Sequence, residues 1–239
     1  MSNDRSVLLL DGPAGRLAGL RDRLSGLSLS PILARDPAEA LRGLASPLQP
    51  RVALLVPEFA GAALAATLTQ LLAQAPEHEL GLVATGPVAD ADTRARLRAA
   101  GVRLALWEPF DDGALRFQLN RALRLKSDGR EELRIPTTLL ARVQTNDRPR
   151  DVIVYNLSAR GAFLETPRTS LRGAQIEVDL PLPSGAVRVK ARVRFHNVAG
   201  NLQRPNLPFG MGIEFIALPR DTSDAIRIYV EERAKSFVV

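Results

Sequence analysis

Apolar residues recur along this chain in two different rhythms. Up to about residue 126, short aliphatic runs at residues 7–10, 31–34, 52–56, 80–84 and 102–106 alternate with alanine- and leucine-rich stretches such as 62–75 and 90–100. The runs have the length of buried strands, and the stretches between them carry the apolar spacing and Ala/Leu content of helices. Strand and helix in alternation predict a parallel sheet covered on both faces. After a short polar link, Ser127-Asp128-Gly129, the period drops to two. Leu139, Ala141 and Val143 alternate with polar neighbours, as do Ile176, Val178 and Leu180, and then Val187, Val189, Ala191, Val193 and Phe195. Pro183-Ser184-Gly185 reads as a hairpin turn, Asn146-Asp147-Arg148-Pro149 as another, and residues 211–215 as a last strand. A small antiparallel barrel or sandwich follows. One helix ends the chain, with Asp221 expected as N-cap and Ala225, Ile228 and Tyr229 on the face that covers a mouth of the barrel. Two domains are expected, 1–126 and 127–239.

Composition narrows the chemistry. Of 239 residues, 46% are hydrophobic and 24% charged, a globular balance that supplies a sizeable core. The absence of cysteine excludes thiolate zinc sites and thiol catalysis, and two histidines, His78 and His196, make an imidazole-rich metal centre implausible. No apolar stretch is long enough to span a bilayer, so a cytoplasmic protein without membrane insertion is expected. Net charge is +6, and all but three of the 32 basic residues are arginine. Arginine suits flat anionic ligands, pairing phosphate bidentately and stacking on bases, although a genomic bias would give the same composition. With neither a helix-turn-helix nor a basic helix, no nucleic-acid partner is expected. No nucleophile with a base, and no carboxylate pair at catalytic spacing, stands out, so neither enzymatic activity nor a cofactor is expected.

The five-strand order of the first half, with Trp107-Glu108-Pro109-Phe110 after the fifth run, resembles the receiver domain of bacterial response regulators. The resemblance implies a doubly wound, five-stranded α/β fold. It also implies an acid pair for magnesium, a phosphoacceptor aspartate and a lysine, since phosphoryl transfer needs cations around the transferred oxygens. Here Asp11 stands alone after the first strand, Val56 takes the acceptor position, and Glu108 stands where the lysine belongs; only Thr85 matches. The expectation is a degenerate receiver that binds a protein partner or self-associates, with Asp11 and Glu58 as solvated loop acids.

In the second half, Arg130-Glu131-Glu132-Leu133-Arg134 directly follows the link and precedes Ile135-Pro136 and a strand; Asn156-Leu157-Ser158-Ala159-Arg160-Gly161 stands 22 residues past Arg134. The RxxxR spacing alone says little, because it recurs at Arg94/Arg98, Arg168/Arg172 and Arg188/Arg192. Its position at a domain entrance, followed by NxSxxG, resembles the PilZ domain, the bacterial receptor module for cyclic di-GMP. The resemblance implies that Arg130 and Arg134 fold over the nucleotide, and that Asn156 and Ser158 hydrogen-bond a guanine edge or a phosphate. Gly161, through a positive φ, would let backbone approach the ligand, and Arg160 would add a contact. Bland roles stand beside these: arginines paired with Glu131 and Glu132, turn-forming Asn156 and Ser158, and a bulge glycine. The implied function is a non-catalytic cyclic di-GMP sensor that signals through interdomain rearrangement; the alternative is a PilZ-like adaptor that binds protein and no nucleotide.

Overall fold

A computed structural model describes residues 6–75, 80–123, 132–144, 148–199 and 207–239. The chain divides into two compact units, Met1–Gly129 with Ser236–Val239, and Arg130–Lys235. The link at residues 127–129, the Asn146-Asp147 part of one expected turn, Arg130, Glu131 and His78 lie outside the described residues.

In the first unit β1 (Ser6–Leu10), β2 (Ser30–Ala34), β3 (Val52–Leu55), β4 (Gly81–Gly86) and β5 (Leu104–Trp107) form a parallel sheet in the order β2-β1-β3-β4-β5. The connecting helices are α1 (Leu20–Gly26), α2 (Pro37–Leu44), α3 (Leu64–Gln74) and α4 (Ala91–Ala99), and α5 (Asp112–Ala122) follows β5. Because crossovers are right-handed, the reversal of strand order after β2 puts α1 and α5 on one face and the other helices opposite. Leu8, Leu9, Leu10, Leu54 and Leu55 are accordingly buried. Three helices start on aspartate caps: Asp36, Asp90 and Asp111 accept from the amides of Glu39, Thr93 and Ala114, each at 2.7 Å.

The second unit is a closed antiparallel barrel in the order β10-β11-β8-β7-β6-β9. Its strands are β6 (Arg134–Gln144), β7 (Arg150–Ser158), β8 (Gly161–Glu165), β9 (Gln175–Leu182), β10 (Gly185–Asn197) and β11 (Gly210–Ile216). Helix α6 (Arg220–Ala234) packs on the barrel through Ile226, Val230 and Ala234, which join its core. Two expectations for this helix change. Pro219 is the N-cap and Asp221 lies in the first turn without capping, because the chain already turns helical at Arg220. The buried stripe is one position off the expected face: Ile228 is 53% exposed, while Ala225 and Tyr229 pack at its margin.

Candidate functional site

The β1/β3 switch point is where doubly wound sheets usually place their chemistry. Asp11 is buried at 1% exposure; Oδ1 accepts from the Gly12 amide at 2.9 Å and Oδ2 from the Leu17 amide at 3.2 Å. It is thus a loop organiser, not the solvated acid expected from sequence. Val56 is buried, Thr85 donates to the Leu106 carbonyl at 3.0 Å, and exposed Glu58 lies 3.9 Å from Arg16.

The second unit brings its two motifs together through strand register. Arg134 opens β6 directly opposite Ser158 at the end of β7, and Pro136 lies opposite Asn156. Ala159 and Arg160 make the tight turn into β8, and Gly161 pairs with Glu214 of β11. On β10, Val193 pairs with Ile213 and Phe195 with Gly212, so Arg194 is the extra residue of a bulge. Bulges re-aim side chains. The result is a cleft of about 290 Å³ lined by Glu132, Arg134, Arg160, Arg194, Phe195 and Glu214 among others, near the lower end of the roughly 300–1,000 Å³ common for ligand sites.

Three guanidinium-bearing residues therefore face two carboxylates. Glu132 accepts from the Arg160 backbone amide at 2.9 Å and lies 3.5 Å from Nη2 of Arg134; Arg194 lies 3.5 Å from Glu214. The Nε of Arg134 is buried with no hydrogen-bond partner among the described residues. A buried donor left unpaired costs about 1–3 kcal/mol, so an anion that reaches it gains that much. Arg188 and Asp179 form a separate pair on β10 and β9, at 2.6 Å, away from the cleft lining.

Other expected site residues sit behind the cleft. Ser158 has no exposed surface and donates to the Gly161 carbonyl at 3.0 Å, so its hydroxyl fixes the turn rather than facing a ligand in this conformation. Asn156 is 6% exposed, and its Oδ1 has no partner among the described residues. Gly161 does not adopt the positive φ expected of it. A Cβ there would run into the Ile213 carbonyl oxygen, so glycine is required by the close approach of β11. Arg130 lies outside the described residues. Sequence reasoning missed Glu132, Arg194, Phe195 and Glu214 as lining residues. The alternation of β10 marks Arg194 only as outward-facing, and its aim into the cleft depends on the bulge.

Residues 128–232, most of the second unit, match the family model described as PilZ domain. Similar solved structures include the PilZ domain of YcgR from Escherichia coli with c-di-GMP, at 17% identity over 45% of this chain and 95% of that one, TM-score 0.36. The Bacillus subtilis inhibitor of motility, MotI/DgrA, is similar at 19% identity over 45% of this chain, TM-score 0.38, and the matched region is about half (52%) of that protein. A two-component response regulator from Clostridium difficile is similar at 15% identity over 52% of this chain and 98% of that one, TM-score 0.43. No curated protein matches the chain. Among the described residues no helix is long and apolar enough to cross a membrane.

Proposed function

We propose that this protein is a non-catalytic cyclic di-GMP receptor, with the nucleotide held in the cleft between the start of β6, the β7–β8 turn and the β10 bulge. The observation that carries the reading is the pairing of Arg134 with Ser158. It sets the arginine motif beside the NxSxxG turn, with a buried, unpaired guanidinium donor between them. Arg134, Arg160 and Arg194 supply the cations for two phosphodiesters, and half-buried Phe195 offers a ring on which a guanine can stack. Ser158 and Gly161 shape the turn that presents Arg160, and Asn156 stands behind it with an Oδ1 that has no partner among the described residues. Arg130 follows the unit boundary at Gly129, so a nucleotide gripped by the arginine motif is held beside the link, which gives binding a route to a partner.

Micromolar binding requires about 8 kcal/mol, and one charge-assisted hydrogen bond contributes roughly 1.5–3 kcal/mol. Calorimetry is therefore expected to show at least about tenfold weaker cyclic di-GMP binding for Arg134→Ala than for the unsubstituted chain. Unchanged affinity rejects the site. The adaptor reading is favoured by one feature: Leu140 and Ile153 face each other across β6 and β7 while 62% and 42% exposed. Capture of a protein partner with no nucleotide response, lost in Leu140→Ser, supports that reading instead.

A further inference from the structure

We propose that Glu132 is a tethered anion that holds the phosphate position of the cleft until cyclic di-GMP displaces it. The inference rests on the receptor reading above. Two donors converge on this carboxylate: the Arg160 backbone amide at 2.9 Å on Oε1 and Nη2 of Arg134 at 3.5 Å on Oε2. A backbone N–H beside a guanidinium receives the two terminal oxygens of a phosphodiester as it receives those of a carboxylate. Glu132 precedes Arg134 by two residues, so the chain delivers its carboxylate to the arginine at high effective concentration. The Glu132 side chain is only 25% exposed. Glu214, by contrast, is 52% exposed and its ion pair is with an Arg194 side chain 59% exposed, a pairing that water screens.

The consequence concerns regulation of the site. A phosphate that takes the Arg160 amide and the Arg134 guanidinium must expel Glu132, and Glu132 lies two residues past the unit boundary at Gly129–Arg130. Phosphate and the Glu132 carboxylate are then mutually exclusive occupants of one anion site. Affinity is held down by the carboxylate, and binding is coupled to release of Glu132.

The test is calorimetry of the full chain with cyclic di-GMP for the unsubstituted protein, Glu132→Gln and Glu132→Ala, with thermal melts to verify folding. Removing one negative charge a few ångströms from an incoming phosphate is expected to tighten binding about five- to tenfold in the Gln variant, and at least as much in the Ala variant. In parallel, the Arg160 amide resonance should move on titration of the unsubstituted protein and should already be displaced, without nucleotide, in Glu132→Ala. Equal or weaker binding in both variants overturns the tethered anion while leaving the receptor reading in place. A complete lack of binding by all three proteins removes the receptor reading itself, and this inference with it.

Discussion

The side-chain amide of Gln118 donates to the backbone carbonyl of Phe237, at 2.8 Å and across 119 residues of chain. The same Nε2 donates to the Ala105 carbonyl at 2.6 Å, so a fully buried glutamine ties Phe237 to the edge strand β5. Val238 bridges Leu104, the Val239 amide donates to the Arg103 carbonyl at 3.2 Å, and Phe237 and Val239 are part of the first unit's core. An open sheet edge is thereby covered, which removes a site for unwanted strand pairing.

Phe237→Ala is accordingly expected to destabilise the first unit by about 3 kcal/mol, the usual cost of emptying a buried phenylalanine site. The single tryptophan, Trp107, ends β5 and reports on that unit alone. Urea unfolding followed by tryptophan emission should show a clearly lower midpoint. An unaltered midpoint would mean that the tail contributes nothing to this core.

Asp179 joins three strands of the barrel. It lies opposite Arg188 in one ladder and Arg142 in the other, and it accepts from Arg188 Nε at 2.6 Å and from Gln144 at 2.9 Å. Hydrogen bonding from Arg188, then from Gln144, holds its carboxyl below the usual aspartate range. The unfolded chain then binds the proton more readily, so this contribution is present in full above about pH 4–5 and is lost as the pH falls through the folded-state value. Asp179→Asn should flatten the acid limb of the barrel's stability below about pH 5. A limb of unchanged steepness, measured by circular dichroism, would assign the acid sensitivity to other groups.

The first unit should not accept a phosphoryl group. Both oxygens of Asp11 are committed to backbone amides, and Val56 offers no nucleophile at the end of β3. Incubation with an acyl phosphate and magnesium, followed by intact-mass measurement, should leave the mass unchanged. An adduct mapping to Glu58 or Asp11 would contradict this.

Much of the architecture was legible because burial on both faces writes itself as unbroken aliphatic runs, as in Leu8-Leu9-Leu10, and burial on one face as alternation, as in Val187-Val189-Ala191-Val193. The doubly wound sheet, the antiparallel second unit and the terminal helix follow from those patterns, which leave barrel and sandwich open until the β10–β9 and β6–β9 pairings close the barrel. Alternation fails at Phe195, because the bulge at Arg194 shifts parity without any local compositional mark. Gly161 differs from its sequence expectation for a related reason: the constraint comes from Ile213, fifty-two positions away in sequence, and not from its own dihedral angles. Sequence alone offers Glu132 only as a surface partner of the arginines. Its contact with an amide 28 residues downstream exists only once β6 and β7 are in register. Residues 236–239 are uncharged and mostly apolar, but nothing in them says which core they join, and they fold with that of the first unit.

The most direct measurement of the central claim is a crystal structure of the full chain grown with cyclic di-GMP. The account expects nucleotide density in the cleft, phosphates on the Arg160 amide and the Arg134 guanidinium, Arg194 turned from Glu214, and Glu132 displaced. Nucleotide bound elsewhere, with Arg134 still paired to Glu132 and no density beside the β7–β8 turn, would contradict it.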